Sequence, residues 1–210
     1  LNDRVSFSGS SGSGFRAPDA TDRFGFGGNI NLLPEESNDI QLSASFKKND
    51  NSSYKFEIFD TQISNLIEYD MNANKMQNIG RASMKGMQIG YQYTDDIYVF
   101  RADLINQRAK NDITNSDLLR RADQSFTLNI SRKFNENIFG LSLLASGERK
   151  DFGVTLPGYA IVNLTAKLKV TSNLSINAQI ENITDKDYQT ASNYRMQGAS
   201  VFIDLAYNWQ

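Results

Sequence analysis

The side chains that most often carry enzyme chemistry are missing from this chain. None of its 210 residues is histidine or cysteine. A Ser–His or Cys–His nucleophile pair, an HExxH zinc site, a thiolate zinc site or an iron–sulfur cluster therefore cannot be built from it. Carboxylates remain, 24 Asp and Glu against 22 Lys and Arg. Among them Asp185 and Asp187 stand close enough to suggest a cation. Two carboxylates without further oxygen ligands fall short of calcium, which takes about six to eight. Gly25-Phe26-Gly27-Gly28 lacks the strand-to-helix setting of a phosphate cradle. No catalytic residue, metal ligand or cofactor is expected, and the chain does not read as an enzyme. A net charge of -2 gives no basic patch for nucleic acid.

What the sequence does carry is alternation. Val162, Leu164, Ala166, Leu168 and Val170 share one parity, with Asn163, Thr165, Lys167 and Lys169 on the other. After Thr171-Ser172-Asn173 the pattern resumes as Leu174, Ile176, Ala178 and Ile180, opposed by Ser175, Asn177, Gln179 and Glu181. The last segment sets Val201, Ile203, Leu205, Tyr207 and Trp209 against Phe202, Asp204, Ala206 and Asn208. Period two means strands with an apolar and a largely polar face. The same reading finds Val5–Arg16, Asn38–Lys48, Tyr54–Ser64, Ala82–Tyr93, Tyr98–Asn106, Ser125–Phe134 and Ile138–Ser146, ten strands in all. Within the first, Gly9-Ser10-Ser11-Gly12-Ser13-Gly14 looks like a linker, yet Val5, Phe7 and Phe15 keep one parity across it, which reads as strand.

The connections alternate in length. Short ones lie at Lys47–Ser53, Asp95–Asp96, Asn135–Asn137 and Thr171–Asn173; long ones at roughly Ala17–Ser37, Asn65–Gly80, Gln107–Asp123, Gly147–Gly158 and Thr184–Gly198. Tight turns on one side and long loops on the other mark an up-and-down transmembrane β-barrel, with periplasmic turns and outer loops. Most strands have the roughly 9–11 residues needed to cross a bilayer at a tilt. Aromatic residues near strand ends (Tyr54, Tyr91, Tyr93, Tyr98, Phe134, Phe139, Tyr207, Trp209) suit an interfacial girdle. A soluble sandwich alternates equally well, and the two readings differ in which face meets water. Mean hydropathy is -0.47, and no run approaches the ~18 apolar residues of a spanning helix. In the barrel reading Leu164, Ile176, Ile203 and Leu205 are exposed outward. Leu1-Asn2-Asp3-Arg4 runs straight into a strand without a signal-peptide pattern, so the chain is expected to be mature or to begin inside something larger.

Five elements in fixed order add a resemblance. Gly14-Phe15-Arg16-Ala17-Pro18 is followed by Asn31-Leu32-Leu33-Pro34-Glu35-Glu36-Ser37. Then come Asn78-Ile79-Gly80-Arg81-Ala82 with Lys85-Gly86-Met87, where Gln88 replaces the usual Glu. Next is Leu156-Pro157-Gly158-Tyr159, and last Asn182-Ile183-Thr184-Asp185-Lys186-Asp187-Tyr188. Together these resemble the barrel of TonB-dependent outer-membrane receptors. Leu66-Ile67-Glu68-Tyr69-Asp70 and Leu118–Gln124 look like the vitamin B12 (cobalamin) branch, and siderophore receptors share similar pieces.

The resemblance implies residues 1–210 as the C-terminal portion of a receptor barrel of about twenty-two strands, with no plug domain in this stretch. It implies a cell outer-membrane location and contact with outer-membrane lipid. It also implies TonB engagement through the plug, and import of a bulky scarce nutrient, cobalamin by preference or an iron chelate such as a siderophore. By the same resemblance Tyr69, Asp70, Asn72, Asn193, Tyr194 and Arg195 are the loop residues expected to touch cargo. The family closes its last strand on an aromatic residue; here Trp209 is penultimate and Gln210 last. A self-contained ten-stranded porin or adhesin barrel is the alternative. Ten strands cut from a larger cylinder are expected to stay open, with Val5–Arg16 and Val201–Trp209 at opposite edges.

Overall fold

The structure, a computed structural model, describes residues 4–209. The start Leu1-Asn2-Asp3 and the terminal Gln210 lie outside the described residues. In chain order the elements are β1 (Val5–Arg16), a single-turn helix α1 (Ala20–Phe24), β2 (Glu35–Asn49), β3 (Ser52–Ser64), β4 (Ile67–Asp70), β5 (Lys75–Asn78), β6 (Arg81–Thr94) and β7 (Tyr98–Asn111). They continue as β8 (Gln124–Phe134), β9 (Asn137–Ser146), β10 (Arg149–Asp151), β11 (Val154–Leu156), β12 (Tyr159–Lys169), β13 (Leu174–Glu181), β14 (Gln189–Ala191), β15 (Tyr194–Arg195) and β16 (Ser200–Tyr207).

One antiparallel sheet holds ten of these strands, ordered β1-β2-β3-β6-β7-β8-β9-β12-β13-β16. The remaining six form three small hairpins, β4–β5, β10–β11 and β14–β15, and each is built inside a long loop. The fold is all-β, as expected, and the ten expected strands are the ten of the sheet. Their bounds shift. β2 starts at Glu35 and β7 runs on to Asn111, so the wall extends beyond the alternating stretch at its outer end. At the other end β16 stops at Tyr207, leaving Trp209 outside the strand and 89% exposed. Backbone pairing carries a ladder past the point where side-chain alternation ceases to report it.

The small-residue stretch of β1 is strand throughout, paired residue for residue from Val5↔Phe46 to Arg16↔Glu35. Among the described residues no ladder joins β1 to β16, so the sheet is open with those strands at its edges. The short turns are held by side chains that mimic backbone. Asp95 accepts from the N–H groups of Ile97 and Tyr98 at 2.9 and 2.6 Å, and Thr171 Oγ1 accepts from Leu174 N at 3.0 Å.

Register divides the wall into two faces. One lateral row reads Phe46–Tyr54–Tyr91–Ala102–Leu128–Leu143–Val162, and the next Ala44–Phe56–Ile89–Leu104–Phe126–Ala145–Ala160. The opposite parity gives Ser45–Lys55–Gly90–Asp103–Thr127 and Ser43–Glu57–Gln88–Ile105–Ser125. Neither face is covered by a second layer among the described residues. Ile203 and Leu205 are 65% and 70% exposed. Leu164 and Ile176 are partly exposed because neighbouring strands flank them on both sides. Aromatic rings collect on the apolar face beside the short turns, where Phe46, Tyr54, Tyr91 and Phe100 form a chain of ring contacts with centroids 6.4, 4.8 and 5.6 Å apart.

Gly86 shows how tightly the polar face closes in places. A Cβ there would lie 2.6 Å from Asn106 O and 2.7 Å from the Phe59 ring of the adjacent strand, so the aromatic side chain covers the glycine. Gly86→Val is expected to destabilise the wall by about 1–3 kcal/mol through overpacking, read as a lower urea midpoint for the folded receptor.

Candidate functional site: the outer loop collar

Buried side chains gather at the long-loop end. Ala82, Ala109 and Leu118 form the one cluster of buried apolar residues among those described, with Ile63, Leu66, Ile79 and Met84 packed against it. Around it the five long loops are fastened to one another rather than left as separate arms.

The first fastening joins two of the sequence elements. Arg16 donates from Nε and Nη2 to the two oxygens of Glu35 at 2.8 and 2.9 Å, and from Nη1 to Asp22 at 2.8 Å. Glu35 also accepts from Ile67 N at 2.8 Å, which ties the second loop to the first. Burial would raise the Glu35 carboxyl, but the Arg16 guanidinium and the Ile67 N–H hold it below its usual range. Asp22 sits at N3 of α1 in a reciprocal capping box with Asp19. Asn78 then bonds both backbone groups of Leu33, through Oδ1 at 2.9 Å and Nδ2 at 3.0 Å, and reaches Asn65 O at 2.7 Å.

The hairpin β4–β5 carries three of the residues expected to meet cargo. Tyr69 donates to Asn74 Oδ1, and its ring stands between Phe26 and Phe152, at 6.3 and 6.2 Å. Asp70 accepts from Asn72 N and Ala73 N, which shapes the turn, and Asn72 is exposed at its tip. Glu68, beside them, is pushed up by burial, with Arg121 partly opposing the shift. The other three expected residues lie on β14–β15. Asn193 occupies the turn in the left-handed region at φ 66, a conformation asparagine tolerates. Tyr194 is 71% exposed, and Arg195 pairs loosely with Asp187 at 3.5 Å. The six thus fall on two hairpins and form no single cluster.

Residues that the sequence did not single out connect the two hairpins. Asp151, whose side chain has no exposed surface, pairs with Arg120 at 3.1 Å and accepts from Ser192 N at 2.6 Å and Phe152 N at 2.9 Å. One carboxylate therefore holds three loops together. Burial alone would raise the Asp151 carboxyl; the Ser192 and Phe152 N–H groups and the Arg120 guanidinium hold it below the ordinary aspartate range. Arg120 also covers the Phe152 ring at 5.5 Å. Alternation cannot flag Asp151, since β10 is three residues long. A usable signal was Asp151-Phe152-Gly153, a tight-turn sequence whose glycine has φ +70.

The motif around Asn182 is the knot of the last loop. Asn182 is 3% exposed, at φ 48, and bonds Lys186 N and O and Gln197 O. Asp185 accepts from Ala199 N at 2.9 Å and Asp187 faces Arg195, so the carboxylates considered for a cation are used as loop fasteners. The Tyr188 ring meets the Tyr159 ring at a tilt, with centroids 4.3 Å apart. Among the described residues no group of three or more Asp, Glu, His or Cys could hold a metal ion.

Below this collar the polar face presents Lys55–Glu57 and Arg101–Asp103 ion pairs at 2.7 and 2.9 Å, with Gln88 Nε2 donating to Asp103 at 3.1 Å. Between the third and fourth loops a cleft of about 290 Å³ is lined by Asp117, Arg121, Glu148 and Arg149. Arg149 is buried, donates to Ser146 Oγ at 2.6 Å and lies over the Tyr159 ring at 5.1 Å. The arrangement can bind and enclose a polar molecule by hydrogen bonds and ring contacts.

Known proteins share both sequence and shape with this wall and collar. The family model "TonB dependent receptor-like, beta-barrel" matches residues 1–183. The chain is 27% identical to the vitamin B12 transporter BtuB of Vibrio cholerae over 94% of its own length, and spans about a third (34%) of that relative. The copper transporter OprC superposes with a TM-score of 0.81 at 15% identity, over 100% of this chain and 38% of that one. The pyoverdine outer membrane receptor FpvA of Pseudomonas aeruginosa PAO1 does so at 0.76 and 17% identity, over 100% of this chain and 34% of that one. With most of its length matched by the family model, this chain belongs to the TonB-dependent receptor-like β-barrel family.

Proposed function

We propose that the ten strands are the C-terminal portion of the outer-membrane wall of a TonB-dependent transporter. Plug and TonB-engaging segments would act with this wall from outside residues 1–210. The apolar face meets lipid, the polar face lines the passage, and the role is import rather than catalysis. The cargo is a bulky scarce nutrient, cobalamin by preference. The observation that carries this preference is the 27% identity to a vitamin B12 transporter along 94% of the chain. Superposition on a pyoverdine receptor supports the second reading, an iron chelate. A self-contained ten-stranded barrel is the weaker alternative, because β1 and β16 keep open edges. Each unpaired backbone group there would cost several kcal/mol in hydrocarbon.

In this account the hairpin tips face the cargo. Asn72, Asn193, Tyr194 and Arg195 touch it, while Tyr69 and Asp70 hold the first tip in shape. Outer membranes from cells expressing the gene in its natural reading frame would be titrated with labelled cyanocobalamin and, separately, ferric pyoverdine. Saturable cyanocobalamin binding is expected, weakened about tenfold when Tyr194 and Arg195 are both replaced by alanine, since exposed aromatic and arginine anchors dominate such interfaces. Binding of ferric pyoverdine alone would transfer the account to the iron chelates. Retention of neither would refute the cargo assignment.

A further inference from the structure

Two buried side chains of opposite charge stand two residues apart on β10, and they are served very differently. Asp151 has partners from the third and fifth loops as well as its own. Arg149, 9% exposed, has one side-chain hydrogen bond among the described residues, to Ser146 Oγ at 2.6 Å, and no carboxylate. Its Nε is buried without an acceptor, and its Cζ lies 5.1 Å from the Tyr159 ring centroid. A guanidinium has five N–H donors, and a buried cation is costly to leave without a counter-charge. Neither the serine hydroxyl nor the ring supplies one.

The backbone holds this cation in place. Arg149 bridges to Ala122 of the third loop, and Arg120 N donates to Lys150 O at 2.7 Å. Arg149 lines the cleft of about 290 Å³ between the third and fourth loops. Of the other charged residues there, Asp117 is held by Lys110 at 2.7 Å, and Lys150 Nζ donates to Thr155 Oγ1 at 2.9 Å. Arg121, Asp123 and Glu148 are exposed and make no ion pair among the described residues. A dianion such as phosphate would meet Asp123 and Glu148 as like charges, and a simple cation would meet Arg149 and Arg121. A molecule carrying both signs close together satisfies both sets.

We propose that this cleft binds a small zwitterion of the α-amino-acid or dipeptide type. Its carboxylate takes the remaining Nη donors of Arg149, with Arg121 adding positive charge, and its ammonium group lies against Asp123 and Glu148. A volume of about 290 Å³ is at the low end for ligand pockets and suits a dipeptide rather than a bulky cargo. None of the lining residues belongs to β4–β5 or β14–β15, so the site needs no cargo at the hairpin tips. Occupancy supplies the counter-charge that Arg149 lacks and ties the third loop to the fourth.

The test uses the full receptor purified in detergent and titrated calorimetrically with L-alanyl-L-alanine, its C-terminal amide, its N-acetyl derivative and inorganic phosphate. Saturable binding of the dipeptide is expected. The amide, which has no carboxylate, should bind about tenfold to a hundredfold more weakly, the range of a charge-assisted hydrogen bond. The N-acetyl form should lose about two- to fivefold, because the carboxylates it no longer pairs with are exposed. In Arg149→Gln the dipeptide and its amide should bind alike, a convergence that loss of packing alone does not produce. In the double variant Asp123→Asn, Glu148→Gln the N-acetyl form should instead bind like the dipeptide. Lys48→Gln, exposed at the short-turn end, should change neither comparison. Folding of each variant is read as a band resistant to unheated SDS. Should Arg149→Gln fail this, the amide comparison on the unaltered receptor and the double variant at the exposed carboxylates carry the test. Equal affinity for the dipeptide and its amide, tighter binding of phosphate than of the dipeptide, unchanged discrimination in a variant that folds, or no saturable binding would overturn the proposal.

Discussion

Replacing Asp151 by alanine is expected to unfasten the outer collar while leaving the wall folded. The carboxylate is the shared acceptor for Arg120, Ser192 N and Phe152 N, drawn from the third, fourth and fifth loops. Removing it strands two backbone donors, at about 1–3 kcal/mol for each buried group left unsatisfied. Arg120 is 45% exposed and can return to water, so the full penalty of an orphaned buried charge does not apply. Hydrogen exchange at Ser192 and Phe152 should speed up by roughly tenfold to a hundredfold, while the β12, β13 and β16 amides stay protected. Unchanged exchange at Ser192 would show that the loops do not depend on this carboxylate.

The same group sets the acid limit of the fastening between the third, fourth and fifth loops. Its folded pKa is depressed, so the stability it contributes is complete above the unfolded value of about 3.9. That stability is lost as pH falls through the still lower folded value. This fastening should therefore hold across neutral and mildly acidic pH and loosen only below the aspartate range. In Asp151→Asn this acid-induced step should disappear.

A second large effect concerns the faces of the wall. Ile89 and Gln88 are adjacent on β6, one in the apolar row with Phe56 and Leu104, the other in the polar row with Glu57 and Ile105. Ile89→Arg is expected to cost about 2–4 kcal/mol in a bilayer, the penalty of a cation on the lipid face near the midplane. Gln88→Arg places the same charge beside the Asp103 carboxylate that Gln88 already contacts, and should change stability little. Unfolding by denaturant in liposomes measures both. A larger loss for Gln88→Arg than for Ile89→Arg would mean that the faces are assigned the wrong way round.

Most of the wall was legible because one face had to stay apolar without interruption. Leu164, Ala166 and Leu168 pair with Ile180, Ala178 and Ile176 in a register that a one-residue slip would invert. The outer ends were less legible. Glu35 and Asn111 continue their ladders with polar side chains on both faces, so nothing in the pattern marks them as strand. The collar was legible only in part. Arg16, Glu35, Asn78 and Asn182 stood inside elements that looked like family motifs, yet their partners became visible only in three dimensions. Arg16 and Glu35 are 19 residues apart in sequence and share two hydrogen bonds. Asp151 and Ser192 are 41 apart, and the acceptor serves a backbone N–H, which every non-proline residue offers. Such contacts leave no trace in residue type or spacing.

The membrane-wall reading turns on which face of the sheet meets lipid. Residues 1–210 contain no cysteine, so single cysteines can be placed one at a time from Val162 to Lys169 in a receptor whose other segments have any cysteine replaced by serine. In the receptor reconstituted in liposomes, each would be scored for reaction with a water-soluble maleimide and for protection by surrounding lipid. Strict alternation is expected, with Val162, Leu164, Ala166 and Leu168 shielded and Asn163, Thr165, Lys167 and Lys169 reactive. Uniform reactivity along the strand, or the opposite alternation, would contradict the membrane-wall reading.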